Sequence, residues 1–281
     1  MQEPRTRRSV AMQGLAPARA FTTSSPRLAY FLSGPPEGDC VVLLHGVGSS
    51  AETWNELRVH LGGGFRYLAA DYRGHGASEW GEPPYKIADF VADHFRLLDE
   101  LRIKTAHLVG FSIGAIFAQA IALADPRRTL SLVLLNSICG RTEEERRRAL
   151  ARLELIRTTP PAEVARASIP RWFTKSFIEG RPDLVDAERA IVAAIAPEPY
   201  AATYEVLATS EVLSDAHRIS VPTLIITGES DEGSTPEMSR KLHREIAGSR
   251  LIIRPGVKHY MHIEDSNNLG ALIIDFLRHV A

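Results

Sequence analysis

The sequence predicts an α/β fold, with a mostly parallel central sheet, helices on both faces and one helical insert. Short, continuous apolar runs are typical of strands that are buried on both faces of a sheet. These runs alternate with segments of helical periodicity, which favours parallel βαβ units. The alternation stops between Arg141 and His217, where the chain is charged, helical in propensity and without a strong strand.

Local composition predicts each element in turn. Six apolar runs predict strands: CVVLLHG (40–46), RYLAADYRG (66–74), HLVGF (107–111), TLSLVLLNS (129–137), PTLIITG (222–228) and RLIIRPG (250–256). Five segments predict helices: 51–61, 87–101, 113–124, 236–247 and 268–280. Segment 113–124 is small and apolar nearly all round, which indicates a buried helix.

These patterns divide the chain into three parts. We expect residues 1–27 to be a flexible N-terminal extension, residues 28–139 and 218–281 an α/β core, and residues 140–217 a helical cap. The N-terminus is rich in Arg, bears Ser and Thr and is poor in acids, which are traits of a transit peptide. A disordered extension or an upstream start codon is the simpler interpretation.

The composition excludes several classes of partner. Lys and Arg total 33 and Asp and Glu total 34, so the net charge is close to zero. The chain therefore has no overall positive potential that would favour nucleic acid or an anionic membrane. No apolar stretch is long enough to span a membrane. Cys40 and Cys139 lie at the ends of apolar runs, which predicts buried free thiols and a reducing, cytoplasmic location. No metal-ligand spacing and no dinucleotide fingerprint is present, so we expect neither a metal nor a cofactor.

The sharpest motif is Gly110-Phe111-Ser112-Ile113-Gly114, which matches G-x-S-x-G. It lies between a predicted strand and a predicted buried helix. A strained turn in this setting raises the serine hydroxyl above the sheet, and the flanking glycines relieve crowding. The helix N-terminus that follows favours developing negative charge. Ser112 is therefore the predicted nucleophile, and a plain βα turn is the alternative.

A nucleophilic serine needs a base that an acid orients. His259 follows the last predicted strand, at the end of the sheet where open α/β folds bind ligands, and His262 is its competitor. Asp231 follows the strand PTLIITG and is the predicted acid, with Glu229 and Glu232 as rivals.

The oxyanion of an acyl transfer needs two backbone N–H donors. We expect them from Ile113, directly after the nucleophile, and from Val47, in the loop after the first strand. His45 in the same loop is expected to be structural or to line the substrate pocket. The charge run from Arg141 to Arg152 is interpreted as the solvated face of a helix.

Together these segments resemble the α/β-hydrolase family. The resemblance rests on His45-Gly46, the segment from Asp71 to Ser78, the elbow, Gly228 to Asp231, and Gly256 to His259 with Glu264. It covers the chain from about Leu28 onwards and implies a Ser–Asp–His triad under a helical cap.

A second resemblance is to the 3-oxoadipate enol-lactonases. It rests on Arg171-Trp172-Phe173-Thr174 and Tyr200-Ala201-Ala202. It implies that Arg171 and Trp172 lie near a small acidic substrate. This sequence departs from that pattern in two places: Ala115 follows the elbow, and the turn before Thr235 carries an extra residue. The bond that is cleaved therefore remains open. It could be that of an ester, an enol-lactone or an amide, or the C–C bond of a ring-fission product.

The resulting hypothesis is acyl transfer to Ser112 from a small, carboxylate-bearing metabolite, with hydrolysis of the acyl-enzyme by water. A ligand receptor with slow turnover on the same scaffold is one alternative. A cofactor-free oxygenase or haloperoxidase is another. No residue of this sequence distinguishes the oxygenase or haloperoxidase.

Overall fold

The structure, a computed structural model, describes residues 18–280, which form one eight-stranded sheet with helices packed against it. The strands are β1 (Ala20–Phe21), β2 (Ala29–Ser33), β3 (Cys40–Leu44), β4 (Arg66–Ala70), β5 (Ala106–Phe111), β6 (Thr129–Leu135), β7 (Thr223–Gly228) and β8 (Arg250–Arg254). Their order across the sheet is β1-β2-β4-β3-β5-β6-β7-β8. Strands β3 to β8 pair in parallel, which confirms the predicted fold class.

Strands β1 and β2, which pair antiparallel at one edge of the sheet, were not predicted from the sequence. The boundary of the flexible extension at residue 27 was therefore wrong, because β1 pairs Ala20 with Tyr30 and Phe21 with Ala29. A two-residue strand carries no detectable periodicity, and only the first residue of β2 is fully buried. The transit-peptide question falls on residues 1–17, outside the described residues.

Twelve helices lie within residues 18–280. They are α1 (Asn55–Arg58), α2 (Ile87–Glu100), α3 (Ile113–Ala124), α4 (Glu143–Thr158), α5 (Pro161–Trp172), α6 (Lys175–Gly180), α7 (Pro182–Ala193), α8 (Pro197–Thr209), α9 (Leu213–Ala216), α10 (Pro236–Glu245), α11 (Met261–Glu264) and α12 (Ser266–Val280). The predicted helix 51–61 is instead a 3₁₀ turn, Ala51–Trp54, followed by the short α1. None of these described helices combines the length and apolar character needed to cross a membrane.

Two apolar layers enclose the sheet. Side chains alternate along each strand, so Val42 and Leu44 of β3 face one layer while Val41 and Leu43 face the other. The first layer is completed by α2 and α3, and the second by α1 and α12. Both faces are therefore covered, which explains why the strands read as continuous apolar runs.

Helices α4 to α9 form the insert between β6 and β7. They contribute a small apolar cluster of their own, around Ile156, Val164, Val192 and Tyr200. The C-terminal ends of the parallel strands all meet at one edge of the sheet, beneath this insert. The loops after β3, β5, β6, β7 and β8 are thereby gathered in one place.

Candidate active site

Ser112 occupies a strained turn between β5 and α3. Its backbone lies at φ 57° and ψ −116°, a conformation that non-glycine residues rarely adopt. The turn is held by the Ser112 N–H, which donates to the Leu135 carbonyl of β6 at 2.9 Å. A Cβ on Gly114 would lie 2.1 Å from the Leu44 carbonyl oxygen, and a Cβ on Gly110 would lie 2.3 Å from the Gly114 oxygen. The two glycines are therefore required by close backbone approach.

Asp231 and His259 form a hydrogen-bonded pair. The Nδ1 of His259 lies 2.6 Å from Oδ2 of Asp231, and the side chains are 16% and 1% exposed, respectively. The strands β7 and β8 deliver these residues in adjacent loops, where Ser230 N donates to the Val257 carbonyl. His259 and Ser112 line the same cavity.

The Asp231 carboxylate is held by four donors. Backbone N–H groups of Gly233 and Ser234 donate to Oδ1, at 2.8 and 3.0 Å. Burial works to raise the pKa of Asp231, but the His259 charge and the hydrogen bonds from His259, Ser234 and Asn136 outweigh it and hold the pKa below its usual value. The carboxylate is therefore ionised at neutral pH and able to orient an imidazole.

The fourth donor is Asn136, which was not predicted from the sequence. Its Nδ2 lies 2.6 Å from Oδ2 of Asp231, and the residue is fully buried. It follows β6 directly and has a φ of 49°, which Asn tolerates better than most residues. An asparagine after a strand is also typical of an ordinary turn, so only the three-dimensional contact reveals it.

The two candidate oxyanion donors are the N–H groups of Ile113 and Val47. Ile113 is the first residue of α3, so its N–H has no partner within the helix. Val47 lies in the loop after β3 and lines the cavity. His75 supports this loop, since the Gly48 N–H donates to its Nε2 at 3.1 Å.

His45 does not reach the cavity. It is fully buried, its Nδ1 lies 2.7 Å from the Gly46 carbonyl oxygen, and its Nε2 accepts from the Tyr72 N–H. Burial lowers the pKa of His45 to about 4, despite the opposing effect of the Gly46 hydrogen bond. The prediction of His45 as a substrate-binding residue is therefore wrong, because backbone groups occupy both ring nitrogens.

His262, the rival base, is likewise fully buried. Its Nε2 lies 2.8 Å from Oγ1 of Thr53, and its ring packs on Phe111 with centroids 4.3 Å apart. Burial lowers the pKa of His262 to about 3. This histidine is a neutral core residue, whereas His259 faces the cavity.

The cavity has a volume of about 440 Å³ and lies between the sheet edge and the insert. Such a size is common for small-molecule sites. Arg171 and Trp172, at the end of α5, both line it. The insert is tied to the loop that carries His259, since Tyr260 N donates to the Trp172 carbonyl at 3.0 Å and Lys258 Nζ donates to the Pro170 carbonyl at 2.5 Å.

The charge run at the start of the insert is not a solvated face throughout, which corrects the sequence interpretation. Arg141 is only 7% exposed, and it lines the cavity together with Arg148 and Arg152. Helix α4 buries Leu153 and Ile156, so Arg152 lies beside the buried side of the helix. Because charged residues lie on nearly every face of α4, the sequence does not indicate which side of the helix is buried.

Two further sequence predictions concern metal ligands and the cysteines. No group of three or more His, Cys, Asp or Glu side chains among residues 18–280 is arranged to hold a metal ion. Cys40 and Cys139 are buried free thiols, as the sequence predicted, and burial raises the pKa of each to about 12. Neither is a reactive thiolate.

The fold and this site define an α/β hydrolase: residues 41–269 match the model of the α/β hydrolase family, and the chain belongs to that family. It is similar to 3-oxoadipate enol-lactonase 2 of Acinetobacter baylyi, at 29% identity over 82% of this chain and 86% of that protein. It also resembles the crystal structure of the enol-lactonase from Burkholderia xenovorans, with a TM-score of 0.87 and 28% identity over 92% of this chain and all of that one. A malate-bound thermophilic esterase from Thermogutta terrifontis has a TM-score of 0.84 at 26% identity, over 94% of this chain and 99% of the esterase.

Proposed function

We propose that this enzyme hydrolyses an ester, enol-lactone or amide carbonyl of a small, carboxylate-bearing metabolite, with Ser112, His259 and Asp231 as its triad. One observation carries the proposal: an ionised, buried Asp231 bonds Nδ1 of a histidine that shares a cavity with a serine in a strained elbow. This is the arrangement that serine acyl transfer requires.

In the first half of the reaction, Nε2 of His259 accepts the Ser112 proton as Oγ attacks the substrate carbonyl. Asp231 accepts the Nδ1–H hydrogen bond and stabilises the imidazolium. The N–H groups of Val47 and Ile113 donate to the oxyanion, each worth about 3 kcal/mol of barrier. His259 then gives its proton to the leaving group, and the acyl group stays on Ser112.

In the second half, His259 takes a proton from water, which attacks the acyl carbonyl. The tetrahedral intermediate collapses, Ser112 recovers its proton from His259, and the carboxylic acid leaves. The insert helices act as a cap that limits access of bulk solvent to this site.

Several observations support an acidic substrate. Arg171 lines the cavity beside the turn that carries Asp231, and Trp172 forms an apolar part of the cavity wall. A similar esterase was solved with the dicarboxylate malate bound, and similar enzymes are named as enol-lactonases. A guanidinium binds a carboxylate through charge-assisted hydrogen bonds.

Turnover of small esters and lactones tests this function. We expect multiple turnover by the wild-type enzyme and a loss of kcat of about 10⁶-fold in Ser112→Ala. Ser214→Ala, at an exposed position of α9, is the matched control and retains full activity. Retention of most activity by Ser112→Ala would rule out the assignment, and oxygen uptake without hydrolysis would rule out the reaction class.

A further inference from the structure

Three guanidinium groups and one phenol of the insert line the same cavity. Tyr204 of α8 lines the cavity together with Arg141, Arg152 and Arg171. Burial raises the pKa of Tyr204, while the charges of Arg152, Arg171 and Arg141 act in the opposite direction. All three cations therefore act electrostatically on the same hydroxyl group.

These arginines form no direct ion pair in the described part of the chain, although the Glu211 charge acts on Arg141 from a greater distance. Within residues 18–280, no carboxylate oxygen lies within 4.0 Å of their nitrogen atoms, whereas Arg148 on the same wall pairs with Glu144 at 2.9 Å. Arg141 donates to the carbonyl oxygens of Leu207 and Ser210, and those neutral acceptors hold it in place. Gathering like charges in a partly desolvated cavity is costly unless an anion joins them.

The acids of the cavity do not neutralise this cluster. Asp231 is bonded to His259, and Glu145 accepts from the Thr142 N–H at the start of α4. Glu232 is exposed. The insert side of the cavity is therefore suited to an anionic group of a ligand.

Arg152 and Arg171 differ in their surroundings. Arg152 is partly buried and donates to the hydroxyl of Ser168, which is 1% exposed and itself donates to the Val164 carbonyl at 2.6 Å. Arg171 is exposed at the end of α5, beside Gly233. A fixed and partly desolvated guanidinium binds an anion more strongly than a mobile, hydrated one.

We propose that Arg152, together with Arg141 and the Tyr204 hydroxyl, binds the carboxylate of the substrate and sets the preference for anionic acyl groups. Arg171, in contrast, lies at the rim of the cavity and makes a weaker contact with the substrate. This inference rests on the proposed function and moves its main anion contact from Arg171 to Arg152. The ligand class is a short acyl chain that ends in a carboxylate.

Two substrates matched in length test the proposal: monomethyl glutarate, which is anionic, and methyl pentanoate, which is neutral. For Arg152→Gln we expect kcat/KM on the anionic ester to fall at least about tenfold, in KM more than in kcat, because a hydrogen bond to a charged group is lost. The neutral ester changes less than about twofold. Arg152→Lys keeps the charge and recovers part of the loss. Arg171→Gln tests the competing assignment and should lose less than Arg152→Gln on the anionic ester. Arg148→Gln, the matched control, loses less than about threefold on either ester.

Binding separates this inference from the proposed function. Calorimetry with glutarate and the Ser112→Ala variant measures the anion contact without turnover, and adding Arg152→Gln should weaken glutarate binding at least about tenfold. If the wild-type enzyme cleaves no small ester, lactone or amide but glutarate binding still depends on Arg152, the hydrolase proposal fails and the anion site stands. If both esters are cleaved equally well, or Arg171→Gln has the larger effect, the anion site is overturned and the hydrolase proposal stands.

Discussion

Asn136 Nδ2 lies 2.6 Å from the same Asp231 oxygen, Oδ2, that lies 2.6 Å from Nδ1 of His259. The amide thus fixes the carboxylate in the orientation that the histidine uses and adds a donor that favours its charged form. Asn136 is a positioning residue for the candidate triad, since it touches the acid and not the cavity.

Replacement of Asn136 by Gly should expose this role. Glycine tolerates the positive φ, so the change removes the amide with little backbone strain. We expect kcat to fall about tenfold or more, because one hydrogen bond to a charged group is lost, while KM changes little. The pKa of Asp231 should rise, because the Asn136 amide is one of the groups that lowers it. Full activity in Asn136→Gly, or a change in KM alone, would contradict the positioning role.

Replacement of Glu188 by Gln should raise stability at high pH. Glu188 of α7 is 5% exposed, accepts from Thr53 Oγ1 at 3.1 Å, and burial raises its pKa from 4.5 to about 8. Between these two values the folded state holds a proton that the unfolded chain releases, so stability falls as pH rises from about 4.5 to about 8.

Thermal unfolding of the Glu188 variant checks this sign. We expect the Tm of Glu188→Gln to exceed that of the wild-type protein at pH 9, with the difference shrinking towards pH 4.5. Glu179→Gln, at an exposed position of α6, should show no such trend. A Tm difference that does not vary between pH 4.5 and 9 would contradict the buried, protonated state of Glu188.

Replacement of Gly114 by Ala should disrupt the elbow. The new Cβ would lie 2.1 Å from the Leu44 carbonyl oxygen, so β3 and α3 must separate. We expect a destabilisation of about 1–3 kcal/mol and a loss of activity, measured by denaturant unfolding and ester turnover. Gly63→Ala is the control, because nothing lies within 4 Å of its Cβ and its φ is not positive. Equal stability of the two variants would contradict the close approach.

The sequence predicted the parallel strands, and the placing of the candidate triad residues after them, from local signals. Each parallel strand is a short apolar run, and Ser112, Asp231 and His259 each follow such a run, so the topology brings them to one edge. Asn136 satisfies the same condition, but it has no motif around it.

The insert was predicted only coarsely, for a physical reason. The side of α4 next to the cavity bears arginines rather than apolar residues, so Arg152 could not be told from a solvated cation by periodicity. The prediction for His45 was wrong in the opposite sense, since a residue expected at the cavity is buried in the core. Its position in the loop suggested the cavity, but its burial depends on a contact with Tyr72, which is distant in the sequence.

The most direct test of the account is the site and rate of covalent labelling by a fluorophosphonate, mapped by peptide mass spectrometry. We expect one adduct per chain, on Ser112, and a fall in labelling rate of about 100-fold or more in His259→Ala, because the general base is lost. Ser112→Ala should not be labelled, and Ser214→Ala should be labelled as the wild type is. An adduct on another residue, or wild-type labelling kinetics in His259→Ala, would contradict the claim that Ser112 is a nucleophile activated by His259.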